Sequence, residues 1–454
     1  MPKSLVLRRV RESFGLRRRP RQILIAATFA FAISLVSDGC VRRTDLAESG
    51  AKVPVVRFAF WGGQNEVKLL LGLIDKFERA NPDIKVKPIH IAGDFSAKLQ
   101  TMIAADRAPD VFYLVSQDCN DYLHKRALRD LQPFIDKSKA IKLDDFYQDT
   151  VKQFRIEGKT YALSCNWSPM VVFYNKDFFD EAGVPYPKPG WTWTDFLQTA
   201  QKLTVRDDRG RVQRFGTMSV DWKQWVVQAG GDFFNEAGDK CTVDSPESLK
   251  GLQFAYDLTA KYNVCPPQND AEAESSIYFM AGKTAMVFSY RWFITLLEPL
   301  KRYQWGICAS PKGDKNVNLS GALGFAMSSQ SKRPDAAWRF IEFMTGPPGQ
   351  ILFGKNRWGT PTLKPLVNRY DLFDEPTHPN FNYRLFAQET PRSRILVGSP
   401  YIPDPRFNDF AISELDRMYL GDLTPAETLK SIAKKVNDTI SKNKKVLGKV
   451  SRAK

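Results

Sequence analysis

Residues 158–203 decide the fold and read GKTYALSCNWSPMVVFYNKDFFDEAGVPYPKPGWTWTDFLQTAQKL. Within this stretch, Met170–Tyr174 is an unbroken apolar run rich in Val and aromatic residues. Such a run predicts a strand that is buried on both faces. Asn175-Lys176-Asp177 then predicts the start of a short helix, which Gly183 ends. A buried strand therefore runs directly into a helix.

The end of the same stretch predicts a second helix. Thr192 can cap its N-terminus, with Asp195 three residues further on, as in a capping box. Its apolar residues recur at helical spacing and share one face: Phe196, Leu197, Ala200 and Leu203.

The N-terminal half predicts strands and helices in β-α-β-α-β order. This order predicts a parallel sheet with helices on its faces, and such sheets bind ligands beyond the carboxyl ends of their strands. Two loops occupy that position, Trp61–Glu66 and Ser116–Asp118. The predicted elements are a strand at Val55–Phe60, a helix ending at Asn81-Pro82, a strand at Ile84–Val86, a helix over about Ser96 to Asp106, and a strand at Val111–Val115.

The net charge lies at the two ends of the chain. The 454 residues carry +16, of which residues 1–39 contribute +6 and residues 430–454 contribute +8, leaving +2 for the body. A nearly neutral body argues against an extended nucleic-acid-binding surface. The length predicts more than one domain.

The N-terminus predicts an export signal. Arginines cluster between Arg8 and Arg21, and Ile23–Val36 is almost wholly apolar but short for a membrane span. Gly39-Cys40 resembles the end of a bacterial lipoprotein cleavage site, which makes Cys40 a candidate for lipidation. An ordinary cleaved signal remains the alternative. Residues 1–40 are therefore predicted as the signal and residues 41–52 as a tether.

The cysteines and histidines show no metal-binding pattern. Cysteines with C-x-x-C spacing are absent, and the three histidines are scattered. Cys241 and Cys265 flank the helix that Ser245-Pro246-Glu247 begins, and export to an oxidising compartment predicts a disulfide between them. A helix of about 17 residues spans roughly 25 Å and is an obstacle to this bridge.

Several motifs in order resemble the bacterial solute-binding proteins of the maltose-binding type. The string YNKD, then AGV, a Pro-rich loop, TW and an amphipathic helix carries most of the resemblance. The remaining motifs are Phe60-Trp61, Ala108–Val111, Ser245–Glu247, Gly282–Met286 and Ala337–Ile341.

The resemblance implies two α/β lobes, hinged around a ligand cleft, that deliver solutes, mostly sugars, to the permease of an ATP-driven importer. Lobe 1 would comprise residues 53–166 and 320–362, and lobe 2 residues 167–319 and 363–454. The protein would act as an exported monomer, periplasmic or anchored to the membrane through lipid, without a cofactor or a nucleic-acid partner.

The candidate ligand-binding residues follow from motif position and from the chemistry that sugars need, which is planar polar groups and flat aromatic faces. Where maltose binders have an Asp followed by an Arg, this chain has Gln117 and Asp118, and Ser168 replaces a Glu. The candidates are Trp61, Gln64, Asn65, Glu66, Ser116, Gln117, Asp118, Asn166, Trp167, Ser168, Ser219, Asp221, Trp222, Tyr290, Arg291, Trp292, Gly321 and Trp358.

Four alternatives remain open at this level. The tryptophans can be core packing rather than ligand contacts. Arg291 beside Trp292 would suit an anionic polyol, sugar acid or sugar phosphate. Glu66 and Asp118 could act as an acid/base pair on a glycan, although a nucleophile or metal motif is missing from the sequence. A scaffold or adhesion role would apply only if small ligands did not bind.

Overall fold

The computed structural model of the protein describes residues 53–452, apart from 219–220, 267–270, 374–381 and 397. The predicted signal, the tether and Cys40 lie outside the described residues. Within the described part, no helix has the length and apolarity needed to cross a membrane.

Thirteen strands form in the described residues. They are β1 (Val55–Phe60), β2 (Lys85–His90), β3 (Val111–Val115), β4 (Arg155–Ile156), β5 (Lys159–Thr160), β6 (Ala162–Pro169), β7 (Val171–Asn175), β8 (Val205–Arg206), β9 (Val212–Arg214), β10 (Met286–Ser289), β11 (Trp305–Ala309), β12 (Asn318–Met327) and β13 (Ser393–Arg394).

The α-helices span Gln64–Ala80, Phe95–Ala104, Cys119–His124, Gln132–Ile135, Gln148–Lys152, Lys176–Glu181, Trp193–Leu203, Trp222–Gln228, Pro246–Ala260, Ala271–Met280, Ile294–Leu297, Pro334–Thr345, Pro347–Lys355, Lys364–Val367, Leu385–Glu389, Asp404–Tyr419 and Pro425–Arg452. Short 3-10 helices span Ser116–Asp118, Leu143–Asp145, Arg291–Phe293, Tyr370–Leu372 and Thr390–Arg392.

The larger sheet has the strand order β13-β12-β3-β1-β2, with β6 paired to β12. Strands β1, β2 and β3 are parallel, as the β-α-β-α-β order predicts. Alternate residues of β1 enter cores on opposite faces, because side chains alternate along a strand. Phe58 and Phe60 face one core, and Ala59 faces the other. The α/β fold class is confirmed.

The helix Gln64–Ala80 covers one face of this sheet. It buries Leu69, Leu70, Leu73, Ile74 and Phe77, and Asn81 donates its side-chain amide to the Phe77 carbonyl where the helix ends. Leu71, one residue from this buried face, is 41% exposed. The helical spacing of Val67, Leu70, Leu71, Ile74 and Phe77 predicts that all five share the buried face, and this prediction is wrong for Leu71.

A second, three-stranded sheet has the order β10-β7-β11, with both neighbours antiparallel to β7. All five residues of β7 are buried, as the apolar run predicts. The next predicted helix is confirmed as Trp193–Leu203, and Thr192 and Asp195 form a full capping box. Two sheets with separate helical layers give the predicted two-lobed α/β architecture, although the proposed lobe boundaries stay a prediction.

The disulfide prediction is wrong. Cys241 and Cys265 are buried free thiols, as are Cys119, Cys165 and Cys308. The helix Pro246–Ala260 separates the pair and, at 1.5 Å per residue, spans roughly 22 Å. The Cys265 thiol lies 3.0 Å from the Thr259 hydroxyl in the last turn of that helix, whereas Cys241 precedes its first turn.

Gly216 allows the helix Trp193–Leu203 to pack directly on the following chain. A Cβ at Gly216 would overlap the carbonyl of Ala200. We expect Gly216→Ala to lower the free energy of unfolding by about 1–3 kcal/mol, the usual cost of overpacking. Gly72, in the helix Gln64–Ala80, has open space at its Cβ, so Gly72→Ala should raise that free energy by about 0.5–1 kcal/mol. Urea denaturation measures both, and equal effects would contradict the packing argument.

Candidate ligand-binding site

The loops after β1 and β3 lie side by side at one edge of the larger sheet. Ala59 pairs in parallel with Phe112, so Trp61 and Ser116 both follow the carboxyl ends of neighbouring strands. The half-buried Trp61 ring makes edge contacts with Phe95 at 4.8 Å and with Tyr113 at 5.0 Å. These contacts hold the Trp61 ring at the sheet edge where α/β proteins bind ligands.

Glu66 is a buried carboxyl at this edge. Gln64 and Asn65 are exposed in the first turn of the helix Gln64–Ala80, whereas Glu66 is 5% exposed and folds over Gly62. Position 62 requires glycine for two reasons. A Cβ there would overlap the Glu66 carboxyl group, and the φ angle of +144° disfavours any other residue.

Burial raises the pKa of Glu66 from 4.5 to about 8, which leaves the carboxyl largely protonated at neutral pH. Glu66 is close enough to Tyr113 and Cys165 for its charge to raise the pKa of both. The buried Tyr113 hydroxyl finds no hydrogen-bond partner among the described residues. A protonated carboxyl and an unsatisfied hydroxyl therefore adjoin beside Trp61, and both can bond hydroxyl groups.

The crossing strands β6 and β12 bring a second group of candidates together. Gly321 on β12 pairs with Ser168 on β6. The backbone N–H of Arg291 donates to the Ser168 hydroxyl over 2.8 Å, and the Asn166 amide lies 3.5 Å from the Trp358 carbonyl. The structure thus gathers Asn166, Ser168, Gly321, the Tyr290–Trp292 turn and Trp358 around one pair of strands.

Open space lies above Gly321. A Cβ at this half-buried glycine would meet no atom within 4 Å, although the strand is central in its sheet. The next residue, Ala322, is buried with Trp167. Gly321 pairs with Ser168 on one side and lies between the β13 and β3 pairings on the other, so a ligand can approach the backbone closely there.

The candidate tryptophans divide into two classes. Trp61, Trp292 and Trp358 are partly buried and keep an exposed surface. Trp167 and Trp222 are only 2% and 4% exposed. In this structure these two are core residues, since Trp167 stacks on Tyr147 and Trp222 packs edge-on against Phe233.

The remaining candidates lie further along the same edge or outside the described residues. Burial and the neighbouring Asp121 carboxylate raise the pKa of Asp118. Asp221 caps the helix Trp222–Gln228 by accepting from the Lys223 N–H over 3.0 Å. Ser219 and the side chain of Gln117 lie outside the described residues.

Sequence reasoning missed a polar contact at this edge. The Asn120 amide donates to the Ser399 carbonyl over 3.2 Å, which joins the Ser116–Asp118 region to the C-terminal part of the chain. Asp404 also lies near Asp118: burial raises its pKa to about 7, Lys223 opposes this rise and Asp118 adds to it. The sequence marks residues 400–405 only as a Pro-containing loop, so no signal connected them to Asp118.

Within the described residues, no group of three or more His, Cys, Asp or Glu side chains is arranged to hold a metal ion.

Comparison with known proteins identifies similar chains. Residues 63–351 match the sequence profile described as bacterial extracellular solute-binding protein. An arabinooligosaccharide-binding protein of Halalkalibacterium halodurans is 24% identical over 359 residues, covering 72% of this chain and 75% of the relative. An sn-glycerol-3-phosphate-binding periplasmic protein of Shigella dysenteriae is 22% identical over 435 residues, covering 88% and 96%.

A solved structure is also similar over most of its length. The ABC substrate-binding protein Lmo0181 of Listeria monocytogenes, in complex with cycloalternan, superposes with a TM-score of 0.75 and 27% identity, covering 86% of this chain and 99% of that one.

The raised pKa of Glu66 predicts a pH-dependent stability. An acid whose pKa is higher in the folded state binds more protons there, so its contribution to stability is lost as the pH rises between the two pKa values. In ligand-free protein, the free energy of unfolding of the wild type should fall relative to that of Glu66→Gln as the pH rises. The difference between the two proteins should change by up to about 1.4 kcal/mol per pH unit between about pH 5 and pH 8. Urea denaturation of both proteins across this range tests the expectation, with Asp75→Asn, at the exposed Asp75, as control. A constant difference between wild type and Glu66→Gln would show that Glu66 titrates normally.

Proposed function

We propose, since the chain belongs to the bacterial extracellular solute-binding protein family, that it captures a neutral sugar or oligosaccharide between its lobes and delivers it to the permease of an ATP-driven importer. The main structural support for a saccharide ligand is the open space at Gly321, with the half-buried Trp292 and Trp358 near it. Relatives named for arabinooligosaccharide and cycloalternan support the same class.

The chemistry of the gathered groups suits a saccharide. Sugars present C–H faces that pack on aromatic rings, and hydroxyl groups that need planar donors and acceptors. Trp61, Trp292 and Trp358 offer partly exposed rings. The Glu66 carboxyl and the Tyr113 hydroxyl offer buried polar groups beside Trp61.

The anionic alternative has weaker support. The relative named for sn-glycerol 3-phosphate is its main argument. Arg291, which would have to pair with the anion, is 1% exposed, and its guanidinium already donates to the carbonyls of Gly359 and Leu372. A phosphate would have to displace these bonds in a buried site.

Catalysis has no support beyond the two carboxyls Glu66 and Asp118, and the relatives above are named as binding proteins. We infer export from family membership, and we infer lipidation of Cys40 and a monomeric state from the sequence alone.

A thermal-shift screen of the exported protein tests the function. The panel contains arabinose oligosaccharides, cycloalternan, maltose oligosaccharides, mannose oligosaccharides, monosaccharides and sn-glycerol 3-phosphate. A one-site ligand at about 100 times its dissociation constant stabilises the folded protein by roughly 2.7 kcal/mol. Stabilisation by a neutral saccharide is the expected result. Stabilisation by sn-glycerol 3-phosphate alone would overturn the ligand class, and release of reducing sugar would overturn the assignment as a binder.

Trp292→Ala should weaken ligand binding by about 1–3 kcal/mol, taking base stacking on aromatic residues as the nearest measured analogue. Its effect on unfolding should be smaller, because truncation of a half-buried ring leaves no sealed cavity. Isothermal titration calorimetry with the saccharide from the screen measures the first, and urea denaturation the second. Trp193→Ala is the control, since Trp193 is also half-buried but stacks on Phe254 at 4.5 Å. Unchanged affinity together with a free energy of unfolding lowered by several kcal/mol would show Trp292 to be a core residue.

Gly321→Leu should reduce affinity at least about tenfold, because the new side chain would fill the open space that we assign to the ligand. We expect the folded protein to keep most of its stability, since no atom lies within 4 Å of the Cβ position at Gly321. Gly72→Leu, which also extends into open space, is the matched control. Equal affinity of the Gly321→Leu variant and the wild type would exclude this space as the binding site.

A further inference from the structure

We propose that Arg291 is a positioning residue whose buried guanidinium holds Trp292 and Trp358 together as one aromatic surface for the ligand. The inference rests on the proposed function for the identity of the ligand. The geometry behind it does not depend on that function.

The first observation is that Arg291 is buried and that both terminal nitrogens of its guanidinium are hydrogen-bonded, whereas its Nε finds no partner among the described residues. Its side chain is 1% exposed and lies among the largest buried side chains. One terminal nitrogen donates to the Gly359 carbonyl over 2.6 Å, and the other donates to the Leu372 carbonyl over 2.9 Å. The guanidinium carbon lies 4.6 Å from the centre of the Phe373 ring. Arg291 therefore joins three separate segments of chain.

The second observation is the place of each tryptophan beside these contacts. Arg291 directly precedes Trp292, and Gly359 directly follows Trp358. A single hydrogen bond, from Arg291 to the Gly359 carbonyl, thus couples the sequence neighbours of both tryptophans. A Cβ at Gly359 would overlap Asn166, so the Gly359 backbone packs directly against β6.

The third observation is that the turn itself directs Trp292 outward. Arg291–Phe293 is a 3-10 helix in which Arg291 and Phe293 are buried, whereas Trp292 is half-buried. Phe293 packs edge-on against Phe173 at 5.1 Å, and the Arg291 N–H bonds Ser168. With both neighbours anchored inside, the ring between them has few other orientations. The cost of burying the guanidinium is consistent with a role beyond packing, since buried charges need compensation.

Burial is also the main reason why the pKa of Arg291 falls to about 9, and the nearby Arg357 lowers it further. The guanidinium stays charged at neutral pH, and a charged donor strengthens its bonds to the two carbonyls. A lysine carries one nitrogen in place of the two terminal nitrogens of the planar guanidinium. We therefore expect Arg291→Lys to keep a cationic side chain but to lose the simultaneous bonds to the Gly359 and Leu372 carbonyls.

The test uses protein labelled with 5-fluorotryptophan, so that each tryptophan gives its own ¹⁹F resonance, assigned through Trp→Phe variants. In ligand-free protein we expect Arg291→Lys to shift the resonances of Trp292 and Trp358 and to leave those of Trp191 and Trp338 in place. Phe373→Leu, which keeps both hydrogen bonds but removes the ring beneath the guanidinium, should shift the same two resonances less. This milder variant keeps the test decisive if Arg291→Lys fails to fold. Arg302→Lys, at an exposed arginine, is the control.

Affinity supplies the second readout. With cycloalternan or arabinotriose as the probe, Arg291→Lys should lower affinity about tenfold, corresponding to the loss of one charged hydrogen bond. In a Trp292→Ala background the same change should lower affinity clearly less than tenfold, because one of the two rings through which Arg291 acts is missing and only Trp358 remains. A merely structural role would give equal effects in both backgrounds.

Three results would overturn the proposal: unshifted Trp292 and Trp358 resonances, additive losses of affinity, or loss of sn-glycerol 3-phosphate binding with neutral saccharide binding intact. The last would make Arg291 a direct ligand contact. If no neutral saccharide of the thermal-shift panel binds the wild type, the ligand class fails, and the ¹⁹F shifts still decide whether Arg291 positions the two tryptophans.

Discussion

The antiparallel pairing of β6 with β12 is the constraint on which the rest of the site depends. The two strands are paired from Ala162 with Ala326 to Pro169 with Ser320, with one irregularity beside Leu323. A residue on β6 cannot move without its partner on β12, because the backbone groups of both are satisfied by the other strand. Asn166, Ser168 and Gly321 therefore form a rigid floor, and the Trp292 and Trp358 segments attach to it through Ser168 and Asn166. Precise placement of a ligand needs such a floor, since sites built on strands are held better than sites built on loops.

Two buried ionisable groups lie on either side of this floor, and neither has an opposite charge as its main partner. Glu66 faces Tyr113 and Cys165, and burial raises its pKa. Arg291 faces two backbone carbonyls and an aromatic ring, and burial lowers its pKa. Both shifts have the same cause, which is desolvation of the charged form. Glu66 responds by taking a proton and becoming a neutral donor and acceptor, whereas Arg291 remains charged and is compensated by carbonyl dipoles. The Arg291 charge is thus held by backbone carbonyls inside the protein, and the protonated Glu66 carboxyl remains as a neutral polar group near the site.

Much of the fold could be predicted because its signals are local. The apolar run before Asn175, the Thr192 capping box and Pro246 at a helix start each act within a few residues, and all three are confirmed. The wrong predictions concern which face of a helix a residue lies on and how far apart two residues are in space. Helical periodicity predicts Leu71 on the buried face, but Leu71 is exposed. Export to an oxidising compartment predicts a disulfide between Cys241 and Cys265, but the two cysteines lie at opposite ends of a helix. The sequence could nominate Arg291 and Trp292 together, but could not tell which of them turns inward. That outcome depends on Gly359 and Leu372, about 70 and 80 residues further along the chain.

On the proposed boundaries, the two lobes are also joined by polar contacts beyond the floor. Such contacts limit the free energy that closure of the lobes can gain without a ligand. On the proposed boundaries, Asn120 belongs to lobe 1 and Ser399 to lobe 2, and they share one hydrogen bond. Asp118 and Asp404 lie near each other across the same boundary, and the Asp118 carboxylate adds to the rise in the pKa of Asp404. This hydrogen bond, between groups that water can also satisfy, stabilises closure by about 1 kcal/mol. The two carboxylates oppose closure, whereas the ion pair between Arg357 and Glu298 favours it. A ligand shifts the open and closed populations only by its difference in affinity for them. Contacts from Trp292 on one side and Trp61 and Glu66 on the other, made together only around a ligand, therefore have to supply most of the free energy of closure.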